Sequence, residues 1–147
     1  KNYIKIMKKI LFIHGPNLNL LGKRQIKIYG SLSQTEIFGM LESIFSDYNF
    51  TFFQSNYEGK IIDQIHNAND SMDAIIINPG AFAHYSYAIR DAIESIETPT
   101  IEVHLSNILK REDFRKISVI SDVCKYTIIG KGYDGYTEAV KKVEDLK

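Results

Sequence analysis

The sequence predicts an α/β fold in which a parallel five-stranded sheet is covered by helices on both faces. Three observations predict it. Short apolar, β-branched runs alternate with amphipathic helical stretches along the chain. The run "DAIIIN", Asp73–Asn78, is continuously apolar apart from its ends, as a strand is when both its faces are covered. The 147 residues suffice for one domain with a sizeable core, and no repeat, low-complexity tract or linker divides them.

The elements follow in order. Lys9–Ile13 reads as a buried first strand. "SLSQTEIFGMLESIFSDY" reads as a helix, with Ser33 and Glu36 in capping-box spacing and Ile37, Leu41, Ile44 and Phe45 on one face. "FTFFQS" is a second strand and "KIIDQIHNAN" a short amphipathic helix. "DAIIIN" is the third strand, and "YSYAIRDAIESI" a helix ended by the turn before Pro99. "TIEVHL" is a fourth strand, "EDFRKI" a short helical turn and "YTIIG" a fifth strand, with a last helix from about Tyr136. Right-handed crossovers between parallel strands need a helix in each connection, so five such units give a doubly wound sheet. The expected architecture is flavodoxin-like, with strand order 2-1-3-4-5.

Composition narrows the function. A hydrophobic share of 44% and a charged share of 24% are those of an ordinary globular protein. Eighteen basic residues balance eighteen acidic ones, so no global field draws the chain to nucleic acid or to an anionic membrane. The one cysteine, Cys124, excludes an internal disulfide and a cysteine-rich metal site, and it fits a reducing compartment. No apolar run approaches the ~20 residues that span a bilayer. "KNYIKIMKK" is basic but lacks the apolar centre and cleavage site of a secretory signal. The expectation is a cytoplasmic domain over residues 1–147, with residues 1–8 a disordered or appended leader and Met7 a candidate start.

Open α/β sheets bind ligands beyond the carboxyl ends of their strands, at the switch point, here between strands 1 and 3. Polar residues just past strands 1, 3 and 4 should therefore converge: "HGPNLN", "NPGAFAH" and "HLSN". The first of these runs into an unusually long stretch, residues 16–30, before the next helix starts. Its "GPNLNLLG" matches neither phosphate-loop pattern, and Pro16 removes an amide donor, which argues against a nucleotide site. His14, His66, His84 and His104 show no paired ligand spacing, so no metal site is expected. A phospho-receiver would need an acidic cluster after strand 1 and an aspartate after strand 3, where the chain has His14-Gly15 and Asn78.

Three constellations remain. Asn17 and Asn78, each alone as consistent with turn geometry as with binding, together look like donors aimed at a shared oxygen. Glu102 lies two residues from His104 on one strand face. That pairing serves equally to satisfy a buried histidine or to orient it for proton transfer. Arg24 and Tyr29, by spacing alone, read first as a solvated base beside a loop aromatic. Held within ~4–6 Å, a guanidinium favours the anionic form of a phenol, and it cannot itself lose the proton.

The blocks "GPNLNLLGKRQIKIYG", "NPGAFAHYSYAIRDA" and "IEVHLSN" followed by "REDFR" resemble, in order, those of the type II 3-dehydroquinate dehydratases, and the resemblance runs from Ile10 to the last helix. It implies a flavodoxin-like lyase that reversibly dehydrates 3-dehydroquinate to 3-dehydroshikimate, in the shikimate pathway or in quinate breakdown, with no metal, cofactor or lysine Schiff base. It further implies Tyr29 as general base, Arg24 as the cation favouring its anion, and Asn17 as holder of an enolate-stabilising water. His104 would be the acid for the departing hydroxyl, oriented by Glu102. Asn78, His84 and Arg115 match substrate-binding positions. The amides of Leu105 and Ser106 match a carboxylate-binding turn, and Arg111 a lid or rim position. Asp91 matches a residue presented across a trimer interface, usually within a dodecamer. On this reading residues 16–30 form a lid that carries Arg24 and Tyr29 over the substrate and excludes water.

Two departures from the family pattern stand out. The lid has Gln25-Ile26 where Glu-Pro is common, which leaves the chain freer before closure. "AFAHYS" places Phe82, Ala83 and Tyr85 where a tyrosine and small hydroxyl residues are usual, next to His84. The rival readings are a flavodoxin-like binding module without turnover and, against the absent phosphate loop, a flavin or nucleotide carrier.

Overall fold

The computed structural model describes residues 6–146. Strands β1 (Lys8–His14), β2 (Tyr48–Gln54), β3 (Ala74–Asn78), β4 (Thr100–His104) and β5 (Tyr126–Ile129) form one parallel sheet in the order β2-β1-β3-β4-β5. This is the doubly wound order expected from the alternating pattern. The helices are α1 (Ile26–Tyr29), α2 (Gln34–Ile44), α3 (Glu58–Ala68), α4 (Tyr87–Ser95) and α5 (Asp134–Lys142).

The two-residue period of the strands divides the core into two layers. Ile10 and Phe12 of β1 pack on one face with Ile37 and Leu41 of α2 and Tyr136, Ala139 and Val140 of α5. Leu11 and Ile13 pack on the other with Ile61 and Ile65 of α3 and Ile89 and Ile93 of α4. These side chains are almost fully buried, each stabilising the fold by about 1.5–3 kcal/mol for the larger ones.

Element boundaries moved for identifiable reasons. β2 begins at Tyr48 rather than Phe50, because Tyr48, Phe50 and Phe52 stack along one strand face with centroids 6.0 and 5.6 Å apart. The capping box is present as spaced. Ser33 Oγ accepts from the Glu36 amide at 3.1 Å, and Glu36 Oε1 accepts from the Ser33 amide at 3.2 Å. "EDFRKI" contributes only a 3-10 turn at Asp113–Arg115. The stretch 16–30 is more ordered than a bare loop: a 3-10 turn at Leu18–Leu20 is followed by α1, because Leu18 and Leu21 are buried in the core and pin the chain. Of the leader expected over residues 1–8, residues 1–5 lie outside the described residues, and Lys8 already opens β1.

The strand ends position the site. Gly15 follows β1, and its amide donates to the Asn78 carbonyl at the end of β3 at 2.8 Å. A Cβ on Gly15 would lie 2.2 Å from the Pro79 carbonyl oxygen, so glycine is what lets the two chains leave the sheet side by side.

Candidate active site

A cavity of about 120 Å³ opens at the carboxyl edge of the sheet, over the ends of β1, β3 and β4. It is smaller than the ~300–1,000 Å³ of sites that hold drug-sized ligands, so it suits one small ring rather than a dinucleotide. Asn17, Arg24, Tyr29, Asn78, His84, His104, Leu105, Ser106, Arg111 and Arg115 all line it. Glu102 lies behind His104, and Asp91, exposed on α4, does not line the cavity of its own chain.

Tyr29 ends α1, and the next residue, Gly30, has φ +84°, a left-handed turn that a side chain resists. A Cβ there would also strike the Tyr133 hydroxyl, which accepts from the Leu32 amide at 2.7 Å and so anchors the end of the stretch 16–30. Two guanidinium groups converge on the Tyr29 oxygen: Arg24 Nη2 donates at 3.1 Å and Arg111 Nη1 at 2.7 Å. Both also lie against the ring, with Cζ 4.3 and 5.4 Å from its centroid. Sequence reasoning paired Tyr29 with Arg24 but left Arg111 at the rim. Two permanent cations that can only donate complement a negative phenolic oxygen. Gln25, between Arg24 and α1, sits at φ +26°, a backbone conformation rarely adopted outside glycine.

The floor comes from the strand ends. Asn17 adopts the left-handed conformation, φ +68°, one of the few residue types that does so readily. Its amide donates to Asn56 Oδ1 at 3.0 Å, and Gln54 Nε2 donates to the same oxygen at 3.2 Å. The Asn17 side chain has no hydrogen-bond partner among the described residues and is left for a ligand or a water. Asn78 Nδ2 donates to the Tyr136 hydroxyl at 3.0 Å, and its Oδ1 accepts from the Gly80 amide at 3.2 Å. The Leu105 and Ser106 amides, just past β4, have no acceptor among the described residues. They form a ready anion site beside Arg115.

His104 Nε2 bonds Glu102 Oε2, so the other ring nitrogen is free for the cavity. Glu102 is fully buried and also accepts from Ser118 Oγ at 2.6 Å, Ser121 Oγ at 2.7 Å and Thr127 Oγ1 at 3.3 Å. Burial by itself raises a carboxyl pKa, but here the bonds from His104, Ser118 and Ser121 outweigh it and hold Glu102 below the usual carboxylate range. Glu102 therefore stays ionised. His84 Nδ1 donates to the Ile117 carbonyl at 2.7 Å, and its ring lies nearly parallel to that of His104, centroids 6.5 Å apart. Burial lowers the His84 pKa despite the Ile117 bond.

Three arginines and no carboxylate line the cavity wall, so its field selects an anion. Among the described residues no group of three or more His, Cys, Asp or Glu side chains could hold a metal ion. Nor is any helix among them long and apolar enough to cross a membrane.

Sequence reasoning gave no role to His14, the last residue of β1. It is fully buried, its Nδ1 is 2.8 Å from Gln34 Oε1, and burial lowers its pKa to about 4. The unfolded chain, with a histidine near pH ~6.5, binds the proton first, so stability is complete above that pH and falls as the pH drops toward about 4. Urea unfolding is expected to show a loss of roughly 2–3 kcal/mol between pH ~7 and ~4.5. His14→Gln should remove most of that slope; an unchanged slope would assign it elsewhere.

The chain matches the family described as dehydroquinase class II over residues 8–144. It is 52% identical over 143 residues to the 3-dehydroquinate dehydratase of Caldicellulosiruptor saccharolyticus, covering 95% of this chain and 99% of that one. The crystal structure of type II dehydroquinase from Butyrivibrio crossotus superposes with a TM-score of 0.91 at 45% identity, covering 94% of this chain and 98% of that one. A 3-dehydroquinate dehydratase-like protein from Bifidobacterium longum is more distant, with a TM-score of 0.71 at 31% identity over 95% of this chain and 98% of that one.

Proposed function

The chain belongs to the dehydroquinase class II family, and on that premise we propose that its cavity dehydrates 3-dehydroquinate to 3-dehydroshikimate through an enolate. The observation that carries this reading is a tyrosine oxygen held by two arginines in the same anion-selecting cavity as a carboxylate-oriented histidine. One group is suited to take a proton and the other to give one.

Tyr29, as phenolate, takes the proton from the carbon alpha to the ketone, and the electron pair moves onto the ketone oxygen. Arg24 and Arg111 balance the phenolate before transfer. A water held by the Asn17 side chain donates to the enolate oxygen, where charge develops. The enolate then reforms its carbonyl and expels the hydroxyl from the beta carbon. His104 protonates that hydroxyl so that it leaves as water, and Glu102 fixes the ring orientation for the transfer. The Leu105 and Ser106 amides with Arg115 hold the substrate carboxylate, while Asn78 and His84 bind ring hydroxyls. The chain's own side chains carry each step, with no metal or cofactor assigned a part.

Asp91 lies outside the cavity of its own chain, and in this proposal it completes the site of a neighbouring copy in a trimer, four of which form a dodecamer. The protein is placed in the cytoplasm, in aromatic biosynthesis through the shikimate pathway or in quinate breakdown.

The test is ultraviolet absorbance of the protein mixed with 3-dehydroquinate. A conjugated enone product should accumulate and plateau at equilibrium. Saturable binding without any enone would replace this reading with that of a binding module.

A further inference from the structure

One element of the site is unexplained by the steps above: a line of buried hydrogen bonds runs from the cavity floor into the core. Asn78 Nδ2 is 3.0 Å from the Tyr136 hydroxyl, that hydroxyl is 2.7 Å from His14 Nε2, and His14 Nδ1 is 2.8 Å from Gln34 Oε1. Asn78, Tyr136 and His14 are 4%, 0% and 0% exposed, so no bulk water can substitute for a missing partner.

Only two directions leave every proton along the line paired. In one, Asn78 donates to Tyr136, Tyr136 donates to His14 Nε2, and His14 Nδ1–H donates to Gln34. In the other every bond reverses, and the Asn78 amide must flip to present its oxygen to Tyr136. The Gly80 amide decides between them. It donates at 3.2 Å to the far end of the Asn78 amide, and a flip would set two N–H donors against each other. Asn78 is thus left with its oxygen engaged and one N–H without a partner among the described residues, on a residue that lines the cavity.

We propose that Tyr136 and His14 are positioning residues that, together with the Gly80 amide, hold the polarity of the Asn78 amide, so that the cavity floor presents a hydrogen-bond donor and selects a ligand oxygen there. Neither touches the ligand; each acts through the next. The Tyr136 oxygen accepts from Asn78 only because its own proton has a sink in neutral His14. Without that acceptor the buried phenol turns its proton toward Asn78 and sets itself against the observed orientation. Burial supports the assignment, since it keeps His14 neutral and raises the Tyr136 pKa so that the phenol keeps its proton. The residue type at the end of β1 therefore reaches the substrate through two side chains, one of them from the C-terminal helix α5.

This inference deepens the proposed function and rests on it for the identity of the ligand. The experiment compares wild type with His14→Leu, Tyr136→Phe, the double variant and His14→Gln, which keeps an acceptor oxygen. kcat and KM for 3-dehydroquinate are measured alongside thermal melting. Each of His14→Leu and Tyr136→Phe is expected to raise KM about tenfold, the worth of one buried hydrogen bond, with kcat changed far less. The double variant should be no worse than either single one, and His14→Gln should recover much of the loss. Unchanged KM in the folded variants, or losses that multiply in the double variant, would overturn the proposal. A nitrogen NMR measurement on wild type gives an independent reading that needs no variant to fold. His14 should carry its proton on Nδ1, and the opposite tautomer would overturn the bond order. Absence of enone formation by wild type would remove the proposed function and leave the tautomer result to decide the relay by itself.

Discussion

Tyr29→Phe is expected to lower kcat by about 10²–10⁴-fold, the range that a positioned general base supplies, while the dissociation constant for the substrate stays within a few-fold. The substitution deletes one oxygen and keeps the ring. Arg24 and Arg111 can still lie against the ring face, where Cζ of each sits 4.3 and 5.4 Å from its centroid, so the packing around the ring is kept. What disappears is the atom on which both guanidinium groups converge. In the proposed function ligand binding draws on other groups that line the cavity, namely Arg115, the Leu105 and Ser106 amides and the strand-end asparagines. Stopped-flow enone absorbance and calorimetric binding separate the two quantities. Turnover near wild type in a folded Tyr29→Phe protein would remove Tyr29 as the base and leave His84 as the candidate.

Glu102→Gln is expected to cost both turnover and stability. The carboxylate accepts from four groups, His104, Ser118, Ser121 and Thr127. An amide offers one acceptor oxygen and adds a donor NH₂, so at least one buried donor must lose its partner or turn away. The expected stability loss is about 1–3 kcal/mol. A histidine that loses its orienting carboxylate can hold the wrong ring nitrogen protonated toward the substrate, so kcat should fall by about 10²-fold or more. Urea unfolding gives the first number and the enone assay the second. Wild-type kcat in a destabilised but folded variant would make Glu102 a structural anchor alone, with no part in orienting His104.

Legibility differed between the fold and the site. Period-two and helical patterning foretold the sheet because burial on both faces leaves a direct mark on composition: "AIIIN" of β3 is buried at every position. The Ser33–Glu36 cap was legible for a similar reason, since both partners lie within one turn. Boundaries were less so. Tyr48 extends β2 by stacking on its strand neighbours, which no helix-or-strand period distinguishes from the end of the preceding helix. The stretch 16–30 read as a long loop because Leu18 and Leu21 look like loop leucines until the core they plug is known.

What the sequence by itself determined is the order of strands, the crossover helices and the set of polar residues delivered to the carboxyl edge. Each of these depends on patterns a few residues long. Only the tertiary structure decided which of those residues touch. Arg111 reaches Tyr29 across 82 residues of chain, and Tyr136 reaches His14 across 122. Ser118 and Ser121 close on Glu102 from a loop with no regular element of its own at Ser118. Such contacts leave no local signal, because their geometry is set by how packed helices aim side chains over a shared strand edge. Residue type states what each group can donate or accept. Packing alone states to whom.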